Sequence, residues 1–348
     1  EKGQKGKTFR TTLDNEVQVF SAKLLENVSG ASCVMDIYNG DIISMVSSPA
    51  FDPNSFVHGI NHKEWNSLLN NRDKPMINKA ISGLYPPGST IKTLTALSAL
   101  ENDVVSSKLV VKCSGFIDLH GERFHCWKKE GHGVVGMRTA LKKSCDVYFY
   151  EVSKRLGIDR LASTAEKFGL GEKVLQNYNE EKAGTVPNTK WKIRELGKNW
   201  YIGETLHSGI GQGYFLTTPL QLSLMTAQIA NGGFKIKPRI LINKNDQISN
   251  LQKFLNHKNA TPGNVMSTED QIFNLDLKPL FRNQQNINLV KDAMFAATNE
   301  IGGTSYRSRH KDKNFMFAGK TGSSQIKRFT QEQREAEVKQ SDIKYLER

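Results

Sequence analysis

The chain predicts an α/β protein of the α+β type, with helices packed on an antiparallel sheet. Three stretches carry that expectation. An amphipathic pattern at residues 11–28 is followed at once by two apolar strands, 32–37 and 42–46, joined through Asn39-Gly40. Asn-Gly is the turn pair that best matches strand twist. A rigid Tyr85-Pro-Pro-Gly88 turn, which cannot be helical, opens onto a run of good helix formers at 89–100. Near the other end, Phe315-Met-Phe317-Ala-Gly319 reads as a buried strand running into Lys320-Thr321-Gly322.

The elements follow in order. In the first helix Asp14 is a candidate N-cap, with Val17, Phe20, Leu24 and Val28 on one face. Residues 49–87 are mostly loop, with one short helix at 64–69. Residues 104–136 are irregular and rich in Gly, His and Cys. A helical pattern at 138–156 is broken by Lys142-Lys143-Ser144-Cys145-Asp146, which predicts a turn between two helices. Another helix is expected at 159–168. Residues 184–213 are polar and loop-like, ending in Gly209-Ile-Gly211-Gln-Gly213; this lacks the preceding strand and spacing of a dinucleotide loop. Thr217 caps a helix with Pro219 in its first turn and Gly232-Gly233 as its stop. Residues 243–285 form an Asn/Lys/Gln-rich excursion, 289–301 a helix ended by Gly302-Gly303, and 328–348 a charged, weakly helical end.

Composition sets limits. The 348 residues are 38% apolar and 24% charged, enough for a large core. No apolar run approaches the ~18 residues of a membrane span, and residue 1 does not begin a signal peptide. Residues 1–10 read as a linker or the end of a preceding domain, and 11–348 as one domain. The net charge of +13 permits attraction to an anionic surface. No Lys/Arg block, nucleic-acid motif or aromatic ladder accompanies it, so nucleic acid is not expected as a partner.

Chemistry centres on Ser89 and Lys92. The i, i+3 spacing puts both on one helix face, about 5–6 Å apart at Cβ. The first-turn N–H groups favour negative charge at the serine end. A serine nucleophile with a lysine as proton acceptor fits this geometry. Ser-x-x-Lys also starts at Ser308, Ser324 and Ser341, but only Ser89 stands between a Pro-Pro-Gly turn and an apolar helix. Two further motifs follow in chain order, Ser144-x-Asp146 and Lys320-Thr321-Gly322. That ordered set is the signature of penicilloyl-serine transferases. With Val34-Met-Asp36, Ser48-Pro49-Ala-Phe-Asp52-Pro53-Asn54 and Thr217-Thr-Pro219 around it, the chain resembles class B penicillin-binding proteins, chiefly the elongation-type subfamily of penicillin-binding protein 2.

The resemblance implies a penicillin-binding/serine β-lactamase-like transpeptidase fold: an antiparallel sheet flanked by helices, with an all-helical subdomain at roughly 85–235. It implies a C-terminally incomplete domain, since relatives continue with further strands and a terminal helix. It implies a D,D-transpeptidase acting on peptidoglycan stem peptides and acylated by β-lactams. Ser89 would be the nucleophile and Lys92 its base, kept neutral by Lys320. Ser144 would relay the proton and Asp146 orient Ser144 and Lys92. Lys320 and Thr321 would hold the substrate carboxylate, while Gly322 lets substrate backbone lie flat. The N–H groups of Ser89 and Ser323 would form an oxyanion hole, each donor worth ~3 kcal/mol. A periplasmic, membrane-anchored setting with a glycosyltransferase and elongation-complex partners goes with it, the anchor lying outside this chain. A class D-like β-lactamase and a penicillin-sensing domain share the motifs.

Cys113, Cys126, His132 and Cys145, spaced C-x12-C-x5-H-x12-C, suit a tetrahedral structural zinc bracing the Ser144–Asp146 turn. His120 and His125 are substitute ligands. A Cys113–Cys126 disulfide and plain buried thiols are the alternatives. Cys33 reads as core.

Overall fold

A computed structural model describes residues 6, 8–57, 59–175, 178–242 and 279–324. The chain forms two compact units. One comprises residues 1–84, 166–184 and 217–284, the other residues 85–165, 185–216 and 285–348.

The first unit is built on an antiparallel hairpin. Strand β1 (Gly30–Met35) pairs with β2 (Ile42–Ser48), Gly30 opposite Ser48, with a bulge between Val34 and Met35. Their connection is longer than a two-residue turn. The Asp36 carboxylate accepts from the N–H groups of Tyr38 and Asn39, and Gly40 takes a φ of +79°. Helix α1 (Asn15–Leu24) is capped by Asp14, whose side chain accepts from Val17 N at 3.0 Å. The helix is shorter than its pattern, and its apolar face is not the buried one among the described residues. Phe20, Leu24 and Val28 are exposed, whereas Ser21 is buried and Gln18 bonds both main-chain groups of Met45. Polar anchoring, with no burial of the stripe, orients this helix on β2. Helices α2 (His62–Asn70) and α3 (Lys79–Ser82) follow. α2 starts two residues before the pattern suggested, because Asn61 caps it. The core gathers Ile42, Ala80, Ile81, Leu175, Leu220 and Ile240, with a second cluster at Leu224, Ala227, Phe234 and Ile236. Cys33 is half-buried against the first of these.

The second unit starts with a 3₁₀ turn, Gly88–Ile91, that flows into α4 (Lys92–Glu101). Residues 92–100 are all buried, so this is a core helix on every side. The expected irregular stretch folds into two hairpins: β3 (Val110–Cys113) with β6 (Gly133–Gly136), and β4 (Phe116–Leu119) with β5 (Glu122–His125). Four-residue strands are too short to show a period. Helices α5 (Met137–Lys142) and α6 (Asp146–Leu156) flank the predicted break, and α7 (Ile158–Lys167) follows. The polar segment expected as loop contains α8 (Thr189–Leu196) and α9 (Ile202–Gly209). A half-buried ion pair between buried Lys192 and Glu204 joins them, where the pattern would place apolar residues.

In the first unit, α10 (Pro219–Ala230) is capped by Thr218, one residue beyond expectation, in a capping box with Gln221. Helix α11 (Gln284–Asn299) begins earlier than its pattern. Most of the predicted 243–285 excursion and all of 328–348 lie outside the described residues. The strand expected at 315–319 does not form. Lys313–Phe315 is a 3₁₀ turn, and Phe315, Met316 and Phe317 are exposed. The stretch is extended and tied to α11 by Gly319 N to Met294 O (3.1 Å) and Asn299 Nδ2 to Phe317 O (2.8 Å). Extended backbone is a strand only when another strand pairs with it, and none does among the described residues.

Candidate active site

Every sequence-predicted residue of the three motifs belongs to the second unit. Ser89 lies inside the 3₁₀ turn, half-buried, and does not cap the helix; the turn has no side-chain cap. Lys92 opens α4 with 0% exposure. Its Nζ donates to Asp146 Oδ1 at 2.7 Å, Ser144 O at 2.9 Å and Ser144 Oγ at 3.3 Å. Ser89 Oγ has no hydrogen bond among the described residues. Ser89 is therefore not bonded to its expected base, as is common before substrate arrives.

Ser144 follows α5 with φ of +53°, a left-handed conformation that is strained for a residue with a Cβ. Cys145 then caps α6, its sulfur accepting from Tyr148 N. Asp146 is the first residue of α6 and has 8% exposure. Two short elements thus meet at one kink and aim a hydroxyl and a carboxylate at the same lysine.

Lys320 reaches the group from the other direction. Its Nζ donates to Ser144 Oγ at 2.9 Å and to Thr321 O at 2.8 Å. Burial pushes Lys320 down from 10.5 to about 7; the Lys92 charge adds to this and Asp146 opposes it. Lys92 has the Asp146 carboxylate beside it. Thr321 Oγ1 donates to Thr304 Oγ1 at 2.9 Å. Gly322 packs closely. A Cβ there would meet Thr90 Cγ2 at 2.9 Å and Pro87 O at 3.1 Å, so its bareness lets this stretch close on the serine turn.

Sequence reasoning missed two supports. Gly88 and Gly211, with φ of +56° and +74°, lie back to back, Gly88 N donating to Gly211 O at 2.9 Å. A Cβ on Gly211 would strike the Gly88 backbone, and one on Gly88 would strike Ser323. Gln212 Nε2 donates to Ser323 O at 2.9 Å, tethering the residue beside the serine turn. The Gly209–Gly213 string was the available signal: Gly211 within it packs on the Gly88 backbone and Gly209 on Ser153. Trp127, next to Cys126, is the other support: its main-chain N–H donates to Asp146 Oδ2 at 2.8 Å.

The thiols and the imidazole also converge. The ligand atoms of Cys113, Cys126, His132 and Cys145 all lie within 4.8 Å of one another. His132 Nδ1 is 3.6 Å from Cys113 Sγ and 3.5 Å from Cys126 Sγ. All four cysteines are free, so the Cys113–Cys126 disulfide is not formed. Cys145 donates to Cys126, which lowers the Cys126 thiol and raises that of Cys145. A tetrahedral site with metal–sulfur bonds of about 2.3 Å needs sulfurs roughly 3.8 Å apart, so the donor set fits zinc in type and span. His120 lies at the β4–β5 turn with φ of +51°, and neither it nor His125 belongs to the group.

A hydroxyl in a 3₁₀ turn, a buried lysine one turn on, a serine–aspartate kink and an extended lysine-bearing stretch form a set chemically suited to serine acyl transfer. The chain matches the penicillin binding protein transpeptidase domain family over residues 30–343, and it belongs to that family. It is 35% identical to peptidoglycan D,D-transpeptidase MrdA of Acinetobacter baumannii over 343 residues, 97% of this chain and 47% of that protein. With MrdA of Escherichia coli K12 it shares 32% over 325 residues, 93% and 48% of the two chains. The structure resembles Pseudomonas aeruginosa PBP2 in complex with WCK 5153 (TM-score 0.77, 31% identity, 91% of this chain and 68% of that one). It also resembles PBP2 of Helicobacter pylori in complex with MreC (TM-score 0.78, 32% identity, 91% and 55%). The fold is therefore the penicillin-binding transpeptidase fold expected. The chain spans about half the length of the curated relatives it matches. Among the described residues no helix is long and apolar enough to cross a membrane.

Proposed function

We propose that this chain is the catalytic part of a peptidoglycan D,D-transpeptidase of the elongation type. One observation carries the reading: Ser144 Oγ accepts from both Lys92 and Lys320, so one residue from each of the three motifs meets at a single oxygen. Ser89 Oγ attacks the carbonyl between two terminal D-alanines, and its proton passes to Lys92. Asp146 compensates the charge Lys92 gains, and Ser144 links Lys92 to Lys320 for proton return to the departing amine. Lys320 in its charged form, with Thr321, takes the terminal carboxylate. The N–H groups of Ser89 and Ser323 receive the oxyanion. An amine of a second stem peptide then accepts the acyl group and forms the cross-link. β-Lactams leave the same serine acylated.

Cys113, Cys126, His132 and Cys145 hold a structural zinc ion on this reading, supported by the donor types and their span. A periplasmic, membrane-anchored protein, working beside a glycosyltransferase and elongation-complex proteins, agrees with the H. pylori relative solved with MreC. The test is labelling with a fluorescent penicillin and mass mapping of the adduct. The adduct is expected on Ser89 and absent from Ser89→Ala. A label elsewhere, or rapid release with turnover of a chromogenic cephalosporin, sinks the transpeptidase reading.

A further inference from the structure

Trp127 stands between the catalytic kink and the cysteine cluster, and neither the nucleophile nor the ligand set includes it. Its side chain is 60% exposed, so burial does not hold it in place. Its polar edge is nonetheless fully engaged. The indole N–H is shared between Lys143 O and Ser144 O, both at 3.1 Å. Its ring stands edge-on to His132, with centroids 5.3 Å apart.

These bonds meet a specific need. Ser144 has the left-handed φ of +53°, and a strained residue keeps that conformation only where its surroundings over-determine it. The Ser144 carbonyl has two side-chain donors, Lys92 Nζ at 2.9 Å and the Trp127 indole at 3.1 Å. Lys92 must change its charge during acyl transfer, so its grip on that carbonyl varies through the reaction. The indole cannot ionise and holds steadily. The Asp146 carboxylate is shared the same way: Oδ1 faces Lys92, and Oδ2 accepts from Trp127 N.

Resting on the acyl-transfer reading above, we propose that Trp127 is a positioning residue for acylation. Its indole N–H fixes the Ser144 kink, so that Ser144 Oγ stays between the two lysines while Lys92 gains and loses its proton. It touches neither substrate nor reacting atoms. Its removal should therefore slow the chemical step and leave the first encounter with ligand alone.

The experiment uses the full chain with fluorescent penicillin, resolving the non-covalent Kd from the acylation rate k2. Trp127→Phe keeps a ring against His132 and removes the donor. Replacement of Trp127 by 3-benzothienylalanine, in which sulfur takes the place of the N–H, keeps the whole shape. Both should lower k2 roughly five- to tenfold, the worth of one hydrogen bond, with Kd within about twofold. A k2 equal to the parent's in either folded variant overturns the inference. So does parallel loss of k2, Kd and cooperative melting in both, which marks a merely structural role. A parent chain that takes no label on Ser89 overturns the acyl-transfer reading itself, and this inference with it.

Discussion

Lys92 and Lys320 converge on one oxygen, their ammonium nitrogens 3.3 and 2.9 Å from Ser144 Oγ. Two cations on one acceptor repel each other. Lys92 has the Asp146 carboxylate beside it at 2.7 Å, and Lys320 has no ion pair among the described residues. Burial first, and the Lys92 charge second, push Lys320 down to about 7, with Asp146 opposing.

A pH dependence follows. Below about 7 Lys320 is charged and binds a carboxylate; above it the cation is lost in the free protein. In Lys320→Arg the charge persists at every working pH. The ratio of second-order penicillin acylation constants, parent over Lys320→Arg, should fall as pH rises through that value. A ratio that stays flat shows that Lys320 does not titrate there. The stability sign is also fixed. The folded state disfavours the Lys320 proton, so this group's cost is fully present at low pH and is relieved as pH rises from about 7 towards 10.5.

The buried Lys92–Asp146 pair should reveal itself in stability. Asp146→Asn keeps the shape and leaves a lysine of 0% exposure without a counter-charge. A loss of about 3–5 kcal/mol is expected in urea unfolding. Lys92→Met added to Asp146→Asn should recover part of that loss while acylation stays absent. A single variant within about 1 kcal/mol of the parent means that the pair is not desolvated.

Gly211 and Gly213 allow a steric effect to be separated from a conformational one. Both have positive φ, +74° and +73°. A Cβ on Gly211 strikes the Gly88 backbone, whereas one on Gly213 meets only His207 Cβ at 3.6 Å. Gly213→Ala should cost about 1–2 kcal/mol for its backbone alone. Gly211→Ala should cost more and also slow acylation, because Gly88 precedes the oxyanion donor Ser89. Equal costs with equal acylation would refute the interlock.

Metal content checks the cysteine cluster. Protein purified without chelator should contain about one equivalent of zinc by elemental analysis. Its removal should lower the Tm and slow Ser89 acylation, since Cys145 caps the helix that Asp146 begins. Cys113→Ser should reproduce both effects. Protein purified without chelator that contains no zinc and has all four thiols free ends the metal reading.

The sequence by itself determined the hairpin, the Ser89 turn and its helix, and the break at residues 142–146. These rest on local chemistry: an Asn-Gly turn, a Pro-Pro-Gly stop and two residues that interrupt a helix. It also marked all the motif residues, because a nucleophile and a base one turn apart leave a spacing in the string. Tertiary structure decided the rest. Short strands β3 to β6 exist only through pairing, and the apolar face of α1 turned outward because Gln18 and Ser21 anchor the helix. The lowered proton affinity of Lys320 depends on its burial and on the Lys92 charge beside it, which no linear spacing encodes. The same holds for Trp127, Gln212 and the Gly88–Gly211 contact, whose partners are remote in sequence and meet only when the chain is folded.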